Sequence, residues 1–435
     1  MNREIEHDLK KKIMFASAVL LITSGVVVRP LMYLAFLYCA FLVVFVKDVS
    51  KVYSLMYFLM PFATIFKISP GATSLLTYVL LLFELKLLVT KRQLPRDFLL
   101  FWYFYSAYIF IGMGTAYTDA IKQTFIPIFF YFGLQDEIKD SVESHSKAYI
   151  DAIILSSVLG VYRDQVPNLT SFVIMKSARM DVNVIVQRFS GLWEDPNYYS
   201  TNLILALTLT IFFHIKGMYS FRRTIIYYAA LILFGAMTGS KTFLLMLCVI
   251  YLFLIVETFK NRRYFLCGAC VCVGLVGVIL VLNGTITAFN TTIERLVSSS
   301  SSLSSLTTFR SDLWINYLTT FFDHPIKALL GNGLGIDYTY TAPHNTFIDY
   351  IDLYGIIGSG LFLLTCYFAV RGKRFVRHFA NFMPAVALIV LYCTLSMIRY
   401  FDYPFHITIA CMLIYSVCME DCIKDEKKDW SLPCI

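Results

Sequence analysis

The sequence predicts an all-α polytopic membrane protein with about 14 transmembrane helices (a range of roughly 11 to 14) and two long outer loops. Three observations carry this. Of the 435 residues, 58% are hydrophobic and 15% charged, whereas an ordinary soluble domain is about half apolar and a quarter charged. Apolar runs recur along the whole chain, most close to the length a helix needs to cross a hydrocarbon core of roughly 30 Å. Between them, basic clusters alternate with connections that lack such clusters.

The spans fall near 13–28, 31–46, 52–66, 72–90, 98–116, 121–134, 147–163, 196–215, 224–238, 242–259, 264–283, 346–370, 379–397 and 403–419. Short loops keep Lys and Arg on the cytoplasmic side. The basic connections are Lys10 to Lys12, Lys47 with Lys51, Lys91-Arg92 with Arg96, Lys216 with Arg222-Arg223, Lys260 with Arg262-Arg263, Arg371 with Lys373, Arg374 and Arg377, and Lys424 with Lys427-Lys428. Both termini are therefore expected in the cytoplasm, and the number of spans is even. No small-residue cleavage site follows the first apolar run, so no cleavable signal is expected. The net charge of +8 is spread as punctuation between apolar runs, which argues against a nucleic-acid partner.

All eleven cysteines fall in spans or in the cytoplasmic tail, which implies no disulfide framework. Cys267, Cys270 and Cys272 have metal-like spacing but no nearby histidine, so they read as lipid-buried small residues. In span four, Glu84 and Lys86 are charges in apolar sequence, each costing roughly 2.5–3.5 kcal/mol at a helix centre. Both lie toward the cytoplasmic end, where Lys86 can snorkel.

The chain divides into an N-terminal bundle (1–163), a first long outer loop (164–195), central helices (196–283), a second long outer loop (284–345), and C-terminal helices with a tail (346–435). Loops of such length are usually functional or disordered. Ser298 to Ser305 is serine-rich and reads as an irregular linker. After it, Leu313, Trp314, Tyr317, Leu318, Phe321 and Phe322 recur at helical spacing. That pattern fits an amphipathic helix, either at the outer membrane interface or on top of the bundle.

Few groups on the outer side ionise. The cations are Arg163, Lys176, Arg179, Arg188, Lys241, Arg295, Arg310, Lys327 and Arg399; His324, His344 and His406 are the possible bases. Arginine grips phosphate as a planar fork, and lysine acts as a point charge. His344, in Pro343-His344-Asn345-Thr346, lies where the long loop meets span twelve, and with an ordinary pKa of about 6.5 it can take a proton from a hydroxyl. Asp349 and Asp352 follow at i, i+3 spacing. On spacing alone, a histidine that caps the helix is an equal reading. No Asp-x-Asp occurs in the outer loops to hold a divalent ion.

Five segments, taken in order, carry a resemblance. They are Arg188-Phe189-Ser190-Gly191 running into Trp193-Glu194-Asp195-Pro196-Asn197; Thr238-Gly239-Ser240-Lys241; Arg310 ahead of Leu313-Trp314; Asp323-His324-Pro325 with Gly331-x-Gly333-x-Gly335; and His344-Asn345 followed by Gly355-x-x-Gly358. Over about residues 185 to 370 the chain resembles the O-antigen ligase and O-antigen polymerase superfamily of bacterial envelope polysaccharide assembly. The resemblance implies a fold of the GT-C glycosyltransferase type and a metal-independent, inverting enzyme with no cofactor. Its donor would be an undecaprenyl-diphosphate-linked oligosaccharide, and its active site would face the periplasm or exterior of the bacterial inner membrane.

By motif, His344 corresponds to the family's essential histidine, and Arg188 and Arg310 fall where the family keeps loop arginines. Lys241 stands where many relatives have an arginine after the serine. Lys241, Asp195, Asn197, Asn345, Asp352 and Arg399 are the expected substrate-binding residues. The function implied is repeat-unit polymerisation of an O-antigen or capsule, with membrane lipid, a flippase and a chain-length regulator as partners. A ligase transferring glycan to lipid A core is the alternative. A lipid-linked-glycan transporter is further off, because the polar residues gather in loops rather than at mid-membrane.

Overall fold

The computed structural model describes residues 2–91, 94–112, 117–133, 142–173, 178–181, 184–215, 218–260, 289–298, 310–333 and 343–370, with scattered positions between 262 and 283. The fold is helical. Its longer helices are α1 (Asn2–Val27), α2 (Arg29–Phe45), α3 (Val49–Leu59), α4 (Leu75–Lys91), α5 (Arg96–Ile111), α6 (Tyr117–Gly133), α7 (Val142–Val161), α8 (Pro196–Ile215), α9 (Phe221–Met237), α10 (Lys241–Lys260), α11 (Asn290–Ser298), α12 (Arg310–Asp323), α13 (Pro325–Leu330) and α14 (Thr346–Val370).

Every predicted span from 13 to 259, and that at 346–370, is occupied by helix. The spans at 379–397 and 403–419 lie outside the described residues, as does most of 264–283 and of Ser298 to Ser305. By length and composition one described helix, Thr346–Ala369, is long and apolar enough to cross a membrane; Arg29–Phe45 and Lys241–Val256 are apolar but shorter. Several helices turn large apolar side chains outward, among them Leu20, Leu37, Phe41, Ile226, Leu233 and Leu363.

Local chemistry sets many of the boundaries. Asp48 caps α3 by accepting from the backbone N–H of Ser50 (3.1 Å) and Lys51 (3.4 Å). Ser220 caps α9 through Arg223 N–H (3.4 Å). Pro95 precedes α5, Asp97 lies in its first turn and Gly112 ends it. At the far end of α2, Lys86 Nζ donates to the carbonyls of Val43 (2.7 Å) and Val46 (2.6 Å). These are carbonyls that a helix end leaves without partners, so the lysine serves as a cap reached from α4.

The chain forms two compact units, one of Met1–Ala148 with Phe309–Ile435 and the other of Tyr149–Thr308. In the first, α5, α6 and α14 pack together around Tyr105, Ile109, Ala120, Tyr350, Leu353 and Tyr354. In the second, α8 packs against α9 and α10, and α11 against α10.

One feature departs from the all-α expectation. Within the segment read as a long loop, residues Ala178–Asp181 (β1) and Val184–Gln187 (β2) pair antiparallel, with Ala178 opposite Gln187 and Asp181 opposite Val184. Val184-Ile185-Val186 is β-branched throughout, which suits a strand. The amphipathic helix predicted after the serine-rich stretch is α12. Tyr317 is buried, Leu313, Trp314 and Phe321 are half-buried, and Leu318 and Phe322 are exposed.

Candidate functional site

In the second unit, two of the five sequence segments meet at Arg188, which directly follows β2. Arg188 is 8% exposed. Its Nε donates to the Thr238 carbonyl (2.8 Å) and its Nη2 to Asn197 Oδ1 (2.8 Å). One guanidinium therefore ties the Asp195-Pro196-Asn197 turn to the Thr238-Gly239-Ser240 turn, whose Thr238 lies fifty residues after the arginine.

Each of those turns starts a helix. Asp195 begins α8, its carboxylate accepting from Asn197 N–H (2.7 Å) and its carbonyl from Tyr199 N–H (3.0 Å). Ser240 begins α10, accepting from Phe243 N–H (3.3 Å) while its own hydroxyl reaches Asn197 Oδ1 (3.3 Å). Ser200 Oγ adds a donor to Ser240 Oγ (3.1 Å). Asn197 is thus held from both sides, and two helix N-termini are brought beside one arginine. A helix N-terminus carries about half a positive charge, which at α8 is met in part by the Asp195 carboxylate. Lys241 is the first residue of α10, half-buried, at that same turn.

Two further cations brace this region. Arg295, on α11, donates to the Gly239 carbonyl. Arg163 is buried in a 3-10 turn ahead of the hairpin; it donates to Ser190 Oγ (3.2 Å) and pairs with Asp164 at 3.5 Å. Both were legible in the sequence only as outer cations. Their partners lie 56 and 27 residues away in the chain, beyond what local spacing reveals. The cluster suits a multivalent anion, because fixed N–H dipoles and guanidinium groups stabilise negative charge without rearranging.

The first unit holds the other candidates. His344 is half-buried and adopts φ +50°, a left-handed conformation in which histidine is enriched over most residues. The cap of α14 is the next residue. Asn345 Oδ1 accepts from Phe347 N–H (3.0 Å) and Ile348 N–H (3.2 Å), so the substrate-binding expectation for Asn345 meets a structural duty. The histidine itself is steered by its neighbours: Trp314 Nε1, on α12, donates to the Pro343 carbonyl (2.8 Å). Arg310 is half-buried at the first position of that same helix, so α12 carries both the arginine and the tryptophan that holds the histidine segment.

Asp349 is 0% exposed. Asp352, also buried, accepts from Asn332 Nδ2 (2.8 Å), and the backbone N–H groups of Asn332 and Gly333 donate to the carbonyls of Asp352 (2.7 Å) and Leu353 (2.8 Å). Asp352 therefore clips the glycine-rich strap to α14. The strap fits because α14 is broken at Gly355 (φ +62°), where a Cβ would lie 2.2 Å from the Leu329 carbonyl; at Gly331 (φ +75°) it would lie 2.3 Å from the Leu353 carbonyl. Tyr108, on α5, donates to the Leu330 carbonyl (2.6 Å) and completes the hold.

His324 is exposed at the start of α13 and Lys327 is exposed within it. Arg399, Lys176 and His406 lie outside the described residues, and so does the side chain of Arg179. Among the described residues, no group of three or more His, Cys, Asp or Glu is arranged to hold a metal ion. No protein-family model matches the chain, and no curated protein matches it.

Proposed function

We propose that the chain is an integral-membrane, metal-independent inverting glycosyltransferase. It would polymerise the lipid-diphosphate-linked repeat units of a bacterial envelope polysaccharide. The observation that carries this reading is the Arg188 tie, which joins two helix N-termini into one turn cluster with Lys241 beside it. A glycosyl donor of this class leaves as a diphosphate, and that cluster supplies the charge that would otherwise come from a metal. The outward apolar side chains of α1, α2, α9 and α14 suit contact with lipid.

In the proposed step an acceptor hydroxyl oxygen attacks the anomeric carbon on the face opposite the diphosphate. The carbon–oxygen bond to the diphosphate breaks and the configuration inverts. By the motif resemblance, the hydroxyl proton would pass to His344 and the released negative charge to the cations Arg188, Arg310, Lys241 and Arg399. Asp195 and Asn197 hold the turn beside Arg188 and Lys241, Asn345 caps the helix that follows His344, and Asp352 holds the 331–333 strap. The acceptor is the next lipid-linked repeat unit; a flippase delivers it and a chain-length regulator sets the product size.

The test is an in vitro reaction of the purified chain with a synthetic undecaprenyl-diphosphate repeat unit and a chelator. A ladder of lengthened lipid-linked glycans is expected, and no lengthening by folded protein overturns the polymerase. The ligase alternative is separated in cells. Loss of a polymerase leaves single-repeat glycans, while loss of a ligase leaves long lipid-linked chains and bare core. Movement of labelled lipid-linked glycan across vesicles without any lengthening would replace the enzyme reading by a transporter.

A further inference from the structure

We propose that the N-terminal helices contain a buried proton-binding site of their own, centred on Glu84. It uses none of the residues assigned to glycosyl transfer and does not rest on that assignment. Glu84 sits on α4 and is 0% exposed, and neither oxygen of its carboxyl group has a hydrogen-bond partner among the described residues. Lys86 does not neutralise it. Residues two apart on a helix do not face each other, and the Lys86 ammonium is occupied by the Val43 and Val46 carbonyls. An ionised carboxylate sealed in this way is far more costly than a protonated one.

The helices packed against α4 are α2, α3 and α6. Their buried titratable side chains are Cys39 on α2, Tyr53 and Tyr57 on α3, and Tyr131 on α6; none is a cation. Tyr53 meets Phe83, the residue before Glu84, edge to face at 4.7 Å, and lies within electrostatic reach of Glu84 itself. The Tyr57 ring is 6.2 Å from that of Tyr53 and 5.3 Å from the buried His145 ring. His145 Nε2 is 3.1 Å from Ser50 Oγ and 3.0 Å from the Ser50 carbonyl.

Ser50 belongs to the turn that starts α3, where Asp48 is exposed and Lys51 half-buried. Lys11 closes the same region by donating to Ser54 Oγ (3.2 Å) and to Ser144. Aromatic rings thus fill the space between the sealed carboxyl and the turn bearing Lys47 and Lys51, the side that the basic clusters assign to the cytoplasm, and the Tyr53 hydroxyl, like the Glu84 carboxyl, makes no hydrogen bond among the described residues. His145 precedes the predicted span at 147–163. Burial pushes its imidazole down to about 3, and the Lys11 ammonium acts in the same direction. Ionisable groups inside membrane helices are costly and generally mark pathways for protons or ions.

The experiment is infrared difference spectroscopy on the full chain in phospholipid vesicles after a jump from acid to alkaline buffer. A protonated-carboxyl band that shifts in heavy water and bleaches at high pH is expected, lost in Glu84→Gln and moved in Glu84→Asp. If Glu84→Gln keeps every titrating carboxyl band, the site is overturned. Should the variants fail to fold, wild-type chain with carbon-13 glutamate decides: a titrating glutamic-acid band supports the site and its absence overturns it. Polymer synthesis is scored separately. Failure of synthesis with the band intact removes only the polymerase reading, and loss of the band with synthesis intact removes only the proton site.

Discussion

Replacing Arg188 by alanine should cost stability as well as activity, and the size of the cost follows from its two bonds. Both are made by a charged donor that is 8% exposed, and hydrogen bonds of that kind contribute roughly 1.5–3 kcal/mol each. Asn197 keeps a weaker donor in Ser240 at 3.3 Å, so the full sum is not lost, and about 3–4 kcal/mol is expected for Arg188→Ala. Arg188→Lys retains the charge but not the fork, and should recover only part of this. Hydrogen exchange in the full chain is the assay. Amides at 190–200 and 238–243 should exchange faster in the variant, because the tie holds both turns. A double-mutant cycle with Asn197→Ala should give a coupling of about 1–3 kcal/mol. Exchange unchanged in both segments, or additivity within about 0.5 kcal/mol, would show that the arginine does not join the turns.

Other expectations can be checked alongside. His344→Ala and His344→Gln should each lower polymerisation by about 10²–10⁴ while donor binding persists; a loss of only two- or threefold in rate contradicts a general base. Asn345→Ala should destabilise the start of α14 by about 1 kcal/mol, seen as faster exchange at Phe347 and Ile348, whereas Asn345→Asp should hold the cap. His145 sets a pH dependence of stability. Its folded value of about 3 lies below the ordinary one, so the unfolded chain takes up the proton first as pH falls. Stability should therefore drop by up to about 1.4 kcal/mol per pH unit from roughly pH 6.5 downward, and His145→Asn should flatten the curve of melting temperature against pH. Single cysteines at Ser300 and Gly372, in a cysteine-free background, should be labelled from outside and inside respectively; labelling of both from one side would break the charge-based topology.

Much of the helical framework was legible because burial of apolar runs dominates it, and α1 to α10 follow those runs closely. The hairpin at 178–187 was not, since each strand has only four residues and its signal is the single β-branched stretch Val184-Ile185-Val186. The candidate residues were readable by type, and their partners were not. Nothing near Arg188 announces Thr238, and nothing near Gly331 announces Gly355; both contacts are made between segments distant in the chain. Asn345 is the instructive case. An asparagine just ahead of a helix is a strong capping signal, yet the adjacent histidine drew the capping role on spacing alone. The structure assigns the cap to Asn345 and leaves His344 as the residue in a left-handed conformation beside it.

The Lys86 contact has a consequence for how such a chain is made. A helix carrying Glu84 and the Lys86 ammonium is a poor candidate to partition into lipid alone, since a charge costs roughly 2.5–3.5 kcal/mol near a helix centre. The ammonium finds its acceptors on Val43 and Val46, in and just beyond a helix synthesised earlier. On the membrane reading, α4 inserts against an already seated α2, and the order of synthesis supplies the partner before it is needed. Moving the lysine one position along α4 would turn it away from those carbonyls, and the first symptom would be failed insertion of the fourth helix rather than a slower enzyme.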